Sequence, residues 1–443
     1  MRSRTVMVSL VSEQAIPNVM AALLVEPRPE VVVCILPEDR DEPTATDEEY
    51  RRVCEGIRRA FDTLAEDPEG DIDVRVQSRG PVSPYDFSAV KEKCREVREE
   101  YAGQGYTVVY NVTGGTKLMA QAALDDAREG GCRAVYIDTE FRNLVEVTPE
   151  AKKSGFVEER LRPLDVPHYL TAYGLGQEEV RGDRTVREKF KRAAGQLVGR
   201  PEQGVAVVQF VVGEDGRKGE TCEVPLAGLK PDERDLLEKV ADRLGDGARI
   251  SPGGEVLALD VDQDLHAFWW GRRWLEWYVF SVLEKLAEDS GNRLRYNRPW
   301  CDVRFRWDTD HAREVMKHLL TIENDEGRPI PLPLNELDVT AVRGGRLLVC
   351  ECKTGKLALR SEHFYKLSVV GRRLGTFADK VFVTDVAGLA DPSCPDNSVR
   401  RQAVRALTLD VVVVGLEELP VLGKILAEPN RRLRMQKSQF GLR

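Results

Sequence analysis

The first third of the chain alternates short apolar runs with longer charged segments, and this pattern limits the possible folds more than any other feature. Thr5–Val11 and Val31–Leu36 are almost wholly apolar, whereas Asp47–Leu64 and Ser88–Tyr101 carry charges at helical spacing. Short buried strands that alternate with helices of about 12–15 residues are typical of βαβ units. We therefore predict an α/β fold whose first domain, residues 1–150, has a mainly parallel, doubly wound sheet.

The same alternation continues to the end of this domain. Further strands are predicted at Asp71–Gln77, Thr107–Asn111 and Arg133–Asp138, and further helices from Pro17 and over Lys117–Glu129. A chain of 443 residues is too long for one compact core, so two or three domains are expected.

The rest of the chain divides into three parts. Residues 151–265 are expected to form a connector or small insertion, with short helices at Val166–Tyr173 and Asp232–Leu244 and a β-hairpin of Val205–Val212 and Thr221–Pro225. Residues 266–430 are predicted to form a second α/β domain, which includes a Pro-rich loop. The tail, 431–443, is basic and is either a solvated, frayed terminus or a contact for phosphates.

Composition narrows the class of protein. No stretch has the roughly 18 uncharged apolar residues of a membrane span, and the N-terminus runs into a strand without the features of a signal peptide. The 9 cysteines are mostly isolated, which indicates reduced thiols and a cytoplasmic protein with no membrane partner. A net charge of −9 argues against non-specific coating of duplex DNA but leaves local contacts with nucleic acid open.

The second domain contains a predicted hairpin with three charged side chains of chemical interest. Glu336–Val342 and Arg346–Lys353 are strand-like, and Gly344-Gly345 between them is a two-residue turn signal. This turn places Asp338 across from Glu351 and Glu336 across from Lys353, all on one face of the sheet.

Like charges directly opposite each other repel, so Asp338 and Glu351 require a positive group between them. A hard divalent cation with oxygen ligands satisfies this requirement. Lys353, on the same face, could orient or deprotonate a water molecule and stabilise charge on a phosphorane-like transition state. The alternative is a surface hairpin whose polar face is merely solvated.

A helix upstream offers a third carboxylate. In Gly271-Arg272-Arg273-Trp274-Leu275-Glu276, the glutamate is followed by Phe280 and Leu283 on the same helix face. A carboxylate among apolar neighbours must be paired or bound to a metal, so Glu276 is a candidate ligand; the alternative is a salt bridge to Arg272 or Arg273. After the hairpin, Tyr365 or Lys366 could contact phosphates of the cleaved strand, or lie on a solvated helix face.

A glycine-rich turn follows a strand in the first domain. Thr113-Gly114-Gly115-Thr116-Lys117 connects Thr107–Asn111 to a helix, and free N–H groups at a helix N-terminus attract phosphate. The spacing matches neither the Walker nor the dinucleotide-binding pattern, so ATP hydrolysis and a dinucleotide cofactor are not indicated. The turn could equally be structural.

These motifs resemble those of two known families. Asp338 followed by Glu351-Cys352-Lys353 is similar to the restriction-endonuclease-like PD-(D/E)xK nucleases, although Glu336-Leu337 replaces the usual proline. Asn111-Val112-Thr113-Gly114-Gly115-Thr116-Lys117, with Val11-Ser12-Glu13-Gln14, resembles the CARF domain, a Rossmann-like sensor of cyclic oligoadenylates. Together they resemble the CRISPR ancillary nucleases of type III antiviral defence, of the Card type.

The resemblance implies a homodimer activated allosterically by a cyclic oligoadenylate, most often cyclic tetra-adenylate, and cleaving DNA, RNA or both with Mn²⁺ or Mg²⁺. It implies Asp338, Glu351 and Glu276 as metal ligands and these with Lys353 as catalytic residues. The implied ligand-binding residues are Ser12, Glu13, Asn111, Thr113, Gly114, Gly115, Thr116 and Lys117. The alternatives are a non-catalytic sensor that binds nucleic acid, and a ring nuclease that degrades the cyclic oligoadenylate.

Overall fold

The computed structural model describes residues 4–38, 46–66, 72–140, 142–148, 152–175, 181–183, 185–289, 296–305, 335–375 and 378–442. The predicted Pro-rich loop falls within 306–334 and lies outside these residues. In the described part of the chain, no helix has the length and apolar character needed to cross a membrane.

The N-terminal unit is an α/β layer structure. Its elements are β1 (Thr5–Leu10), α1 (Ile16–Leu24), β2 (Val31–Pro37), α2 (Thr46–Glu66), β3 (Arg75–Val82), α3 (Phe87–Gly103), β4 (Thr107–Asn111), α4 (Lys117–Glu129), β5 (Arg133–Asp138), β6 (Asn143–Thr148) and β7 (Lys152–Gly155). The sheet order is β3-β2-β1-β4-β5-β6-β7. The first five strands pair in parallel and the last two antiparallel, which confirms the predicted mainly parallel sheet.

The parallel strands follow from their sequences. Every residue of β1 and β2 is buried, because helices cover both faces of the sheet and leave no solvent side for a polar residue. From β1 the chain adds strands on one side of the sheet, and from β4 it adds them on the other. The loops that follow these two neighbouring strands therefore diverge at the carboxyl ends of the strands, where such folds have a crevice.

The middle of the chain is mainly helical. It contains α5 (Glu158–Leu161), α6 (Val166–Ala172), β8 (Arg181–Asp183), α7 (Glu188–Gly199), α8 (Pro201–Val212), β9 (Thr221–Pro225), α9 (Pro231–Leu244), β10 (Ala248–Ile250), β11 (Val256–Asp260) and α10 (Gln263–Trp269). The strand predicted at Val205–Val212 is wrong. This segment is a helix that buries Val207, Val208 and Val211, and β9 pairs with β11 instead.

The error at α8 has a physical cause. Its β-branched valines favour strands, but they recur at helical spacing, and Pro201 fits the first turn of a helix without losing a hydrogen bond. Tertiary packing of the apolar stripe then decides the conformation.

The C-terminal unit is a six-stranded mixed sheet with helices on both sides. Its elements are α11 (Trp274–Glu288), β12 (Trp300–Phe305), β13 (Asn335–Arg343), β14 (Arg346–Lys353), α12 (Ser361–Arg373), β15 (Asp379–Thr384), α13 (Asn397–Thr408), β16 (Val412–Val414), α14 (Leu422–Ala427) and α15 (Pro429–Gln439). The order is β16-β15-β14-β13-β12-β8. The first three strands run parallel, and β14, β13, β12 and β8 pair antiparallel.

One hydrophobic core joins the two units. Met20 on α1 and Tyr169 on α6 belong to the same buried cluster as Leu347 and Val349 of β14 and Phe364 of α12. The opposite face of β14 contributes to a second cluster, which it shares with the helices of the middle segment. The C-terminal sheet therefore packs against the N-terminal unit on one side and the middle segment on the other.

The basic tail is a helix packed on the sheet. The amide of Gln436 is fully buried and exchanges two hydrogen bonds with the backbone of Val413, at 2.6 and 3.2 Å. Lys437 pairs with Asp410 at 2.5 Å. The prediction of a frayed terminus is therefore wrong, because the buried amide fixes this segment to the edge strand.

Candidate active site and ligand-binding turn

The hairpin β13–β14 closes through Gly344 and Gly345, both in the left-handed region with φ of +52° and +74°. Two consecutive positive φ values define the tight turn that matches the twist of the flanking strands. Pairing runs from Arg343 and Arg346 to Val339 and Cys350. The predicted register is confirmed over these pairs, and Asp338 and Glu351 follow at the next position.

The group between the two carboxylates is Lys353. Its Nζ atom lies 2.8 Å from Asp338 Oδ2 and 2.9 Å from Glu351 Oε1. Asp338 Oδ2 also accepts a hydrogen bond from the Cys352 amide at 2.7 Å, so this side chain continues the strand pairing where the backbones separate. Glu336, whose role the sequence leaves open between a further ligand and an ion-pair partner of Lys353, has its Oε1 3.5 Å from Arg304 Nη2 on β12.

Glu351 is buried, with 2% of its side chain exposed, and one of its oxygens lacks a hydrogen bond. That oxygen, Oε1, lies 3.7 Å from His363 Nδ1, and Oε2 lies 3.6 Å from Lys366 Nζ. His363 and Lys366 share a face of α12 because they are three residues apart. Tyr365 is 52% exposed, so only Lys366 of the two predicted residues lies beside the carboxylates.

Glu276 lies at the start of α11 and forms the salt bridge that was the alternative to a role as metal ligand. Its Oε2 accepts a hydrogen bond from Arg273 Nε at 2.8 Å, so the salt bridge forms. Burial and the nearby charge of Asp338 nevertheless raise the pKa of Glu276 to about 7. The carboxylate is thus close enough to Asp338 for the two charges to interact strongly.

Burial and the neighbouring charges shift the pKa values of Glu351 and Lys353. Burial, followed by the charge of Asp338, raises the pKa of the Glu351 carboxyl. Burial lowers the pKa of Lys353, but the charges of Asp338 and Glu351 outweigh it and the pKa rises. Lys353 is therefore a cation at neutral pH in this arrangement, which does not suit the predicted deprotonation of water.

The side chains of this site suit a hard divalent cation. Asp338, Glu351 and Glu276 supply carboxylate oxygens, the donors that Mg²⁺ and Mn²⁺ prefer. Glu351 Oε1 is buried, and the cation beside it is the ammonium of Lys353, at 2.9 Å. As placed, no three His, Cys, Asp or Glu side chains in the described residues form a metal-binding group. Lys353 occupies the position between two of the three carboxylates.

A second acidic group adjoins the first and was not singled out from the sequence. Asp302 on β12 has a left-handed backbone, with φ of +55°. Its carboxylate lies 3.6 Å from Arg273 Nη1 and 2.9 Å from Arg304 Nε. Burial and a hydrogen bond with Asp302 raise the pKa of Glu336. The strand alternates polar and apolar residues, with Cys301, Val303 and Phe305 buried, so this pattern places Asp302 on the polar face but does not mark it as a site residue.

The glycine-rich turn follows β4, next to the loop that follows β1. A Cβ atom on Gly114 would lie 2.1 Å from the carbonyl oxygen of Leu10, so the two loops touch through their backbones. Gly115 has φ of +72°, which favours glycine. Thr116 is the N-cap of α4 and accepts a hydrogen bond from the Met119 amide at 3.2 Å.

The predicted ligand-binding residues differ in how far they are exposed. Glu13 and Lys117 are exposed, and Gly114 is buried. The half-buried residues are Ser12, Thr113, Gly115 and Thr116. Asn111 is fully buried, and its amide donates to Ser9 Oγ and Asn18 Oδ1, both at 2.9 Å. It also accepts a hydrogen bond from Thr113 Oγ1 at 2.6 Å. Asn111 thus lies behind the turn and fixes its shape.

Comparison with known proteins finds one family model and several solved structures. Residues 266–433, which form most of the C-terminal unit, match the family model of the Card1-like endonuclease domain. No curated protein matches the chain.

Two solved structures share the fold. Protein VC1899 from Vibrio cholerae has a TM-score of 0.68 and 17% identity, covering 97% of this chain and 98% of that one. Can2 from Sulfobacillus thermosulfidooxidans, solved in complex with cyclic tetra-adenylate, has a TM-score of 0.62 and 18% identity, covering 97% of this chain and 99% of that one. The predicted fold class is confirmed over nearly the whole chain.

Proposed function

We propose that this chain, which carries a Card1-like endonuclease domain, is a nuclease of type III CRISPR defence activated by a cyclic oligoadenylate. The observation that carries the catalytic half is the convergence of Asp338, Glu351 and Lys353, with Nζ 2.8 and 2.9 Å from the two carboxylates. The observation that supports the sensor half is the fold shared with Can2, whose structure contains cyclic tetra-adenylate.

The ligand binds at the crevice between the loops after β1 and β4. Thr116 caps α4, so the N-terminal amides of that helix and the exposed Lys117 face this edge with partial and full positive charge. Phosphates of a cyclic oligoadenylate are the matching anions. Two copies of the chain, related by a two-fold axis, would give a two-fold ring a symmetric site, and the protein acts as a homodimer.

The C-terminal unit hydrolyses a phosphodiester bond of DNA or RNA. Lys353 holds positive charge beside the phosphate and stabilises the additional negative charge of the transition state. Lys366, 38% exposed and 3.6 Å from Glu351, binds the neighbouring phosphate of the strand. Both act through charge that is fixed before the substrate arrives.

Asp338, Glu351 and Glu276 are the carboxylates that would hold a divalent metal ion. When bound, Mn²⁺ or Mg²⁺ supplies a Lewis acid and an activated water molecule. The carboxylates contribute by binding and orientation: the Cys352 amide fixes Asp338 at 2.7 Å, and Arg273 fixes Glu276 at 2.8 Å. Arg273 thereby limits the rotation of Glu276 about its side-chain bonds.

The test is cleavage of supercoiled plasmid, single-stranded DNA and single-stranded RNA with Mn²⁺, with and without cyclic tetra-adenylate. We expect cleavage that requires both, and loss of at least about 100-fold in Glu351→Gln and Lys353→Ala. Cleavage that ignores the cyclic oligoadenylate would refute the sensor assignment, and cleavage that survives both substitutions would refute the catalytic one.

Matched controls lie shortly after β14 in the sequence. Glu362→Gln and Lys356→Ala change exposed residues of the same types, with side-chain exposures of 65% and 71%, and should leave cleavage unchanged. Sedimentation of the wild type tests the homodimer. Chromatography of the cyclic oligoadenylate after incubation tests the rival reading as a ring nuclease, which predicts its linear fragments.

A further inference from the structure

A path of packed side chains, which begins with a hydrogen bond, leads from the loop after β1 to the beginning of β14, the strand that carries Glu351 and Lys353. The hydroxyl of Tyr173 donates a hydrogen bond to Gln14 Oε1 at 3.1 Å. Gln14 directly follows Ser12 and Glu13, and its backbone N–H donates a hydrogen bond to Ser12 Oγ at 3.4 Å. Tyr173, at the C-terminus of α6, is therefore bonded directly to this loop, and a movement of the loop changes this hydrogen bond.

The path continues through a second tyrosine. Tyr169 lies one helical turn before Tyr173, and their ring centroids are 5.5 Å apart. Tyr169 is 3% exposed and belongs to the same buried cluster as Leu347 at the start of β14. β14 pairs with β15 only from Leu348 onward, so Leu347 lies just before that pairing starts.

The tyrosine pair also touches the helix that follows the hairpin. A Cβ atom on Gly375, just after α12, would lie 2.8 Å from the hydroxyl oxygens of both Tyr169 and Tyr173. α12 carries His363 and Lys366, which lie beside Glu351. One buried pair of side chains thus contacts both elements that position groups around Glu351.

We propose that the path Gln14–Tyr173–Tyr169–Leu347, here called the tyrosine relay, couples the ligand-binding loop to the catalytic strand β14. The inference rests on the proposed function and names the route by which its regulation acts. Buried hydrogen bonds are costly to leave unmade, so a shift of Gln14 moves the tyrosines or breaks their contacts. A ligand that binds one position of Gln14 more tightly thereby favours one position of β14.

The test removes hydroxyl groups and retains the rings. Tyr173→Phe and Tyr169→Phe should each lower the ratio of cleavage rates with and without cyclic tetra-adenylate about fivefold to tenfold, the effect of losing one buried polar contact. Cleavage without the ligand should not change, because neither residue touches the carboxylates. Tyr101→Phe is the matched control: its hydroxyl also donates to a glutamine, Gln77, at 3.1 Å, within the N-terminal unit.

A second measurement does not depend on cleavage. Hydrogen exchange of residues 346–350 should respond to cyclic tetra-adenylate in the wild type and in Tyr101→Phe, and not in Tyr173→Phe, although calorimetry shows that all three bind the ligand. If both relay variants keep the rate ratio and the exchange response of the wild type, the tyrosine relay is refuted. A wild type that fails to bind the ligand or to respond to it instead overturns the proposed function, and with it the basis of the relay.

Discussion

The Nζ atom of Lys353 lies 2.8 Å from Oδ2 of Asp338. The same nitrogen is 2.9 Å from Glu351, so one ammonium group compensates two carboxylates whose side chains are 6% and 2% exposed. Opposed buried carboxylates require such compensation, and an ammonium group and a divalent metal can both provide it. Under the proposed function, Lys353 therefore couples the stability of the metal-free protein to the binding of a metal ion.

This coupling predicts the behaviour of Lys353→Met. Removing the ammonium leaves two facing carboxylates, and the free energy of unfolding in EDTA at pH 7.5 should fall by about 3 kcal/mol. Addition of Mn²⁺ should recover more stability in the variant than in the wild type, because the metal no longer competes with the lysine. Urea titrations with EDTA or Mn²⁺ measure both effects.

Lys356→Met provides the comparison, since Lys356 is 71% exposed and pairs with Asp396 at 3.2 Å. It should lose less than about 1 kcal/mol in EDTA. Equal losses in the two variants would contradict the role assigned to Lys353.

The raised pKa of Glu276 predicts a pH dependence of stability. Because burial and Asp338 raise this pKa to about 7, the folded protein binds the proton more tightly than the unfolded chain does. Stability from this group is therefore present below about pH 4.5 and declines as the pH rises towards 7. Glu276→Gln removes this contribution, so the wild type should lose up to about 3 kcal/mol relative to the variant over this interval.

Urea unfolding of metal-free protein between pH 5 and 8 measures the difference. Glu288→Gln, an exposed position at the other end of α11, should follow the wild type at every pH. If the difference between wild type and Glu276→Gln does not vary with pH, Glu276 is not the group that titrates.

The sequence predicts the catalytic hairpin well because its geometry is local. Gly344-Gly345 fixes the turn, the turn fixes the register, and the two-residue period of a strand puts Asp338 and Glu351 together. What fills the space between them depends on side-chain conformation. A lysine has several long rotamers, so the pairing of Lys353 with Asp338 rather than Glu336 does not follow from register.

Features that depend on long-range packing are not predictable in the same way. Tyr169 and Leu347 are 178 positions apart by sequence numbering, and nothing in either segment indicates that they share a buried cluster. The strand predicted at Val205–Val212 fails for a related reason: its valines pack against helices in the second buried cluster, and this packing outweighs their strand propensity.

The exposed and the buried residues of the predicted ligand-binding set should respond differently to substitution. Lys117 is exposed, so Lys117→Ala should weaken cyclic tetra-adenylate binding about tenfold by removing a charge that faces phosphate, with no change in stability. Asn111→Ala should lower the free energy of unfolding by about 1–3 kcal/mol, because Ser9, Asn18 and Thr113 lose a buried partner.

Calorimetric titration and urea unfolding of each variant separate the two effects. Lys93→Ala, at a half-buried lysine on α3 that pairs with the exposed Glu96, serves as the control and should match the wild type in both measurements. A loss of affinity in Asn111→Ala without loss of stability would show that this residue contacts the ligand directly.

The tip of the hairpin should be sensitive to a single added methyl group. Gly345 has φ of +74°, and a Cβ atom there would lie 2.1 Å from Met20 Sδ on α1. Gly254 has a similar φ of +69°, but a Cβ atom there meets nothing within 4 Å. Gly254→Ala should therefore cost only the backbone strain, about 1–2 kcal/mol, whereas Gly345→Ala should cost about 1–3 kcal/mol more.

The additional cost at Gly345 arises from the contact between α1 and the β13–β14 turn, so it measures how tightly the two units are joined. It should also appear in function: Gly345→Ala displaces the turn of the strands that carry Asp338 and Glu351, and its cleavage rate should fall while Gly254→Ala retains wild-type activity. Urea unfolding and plasmid cleavage of both variants provide the comparison. Equal stability losses would mean that Met20 moves aside without cost and that this contact does not hold the hairpin in place.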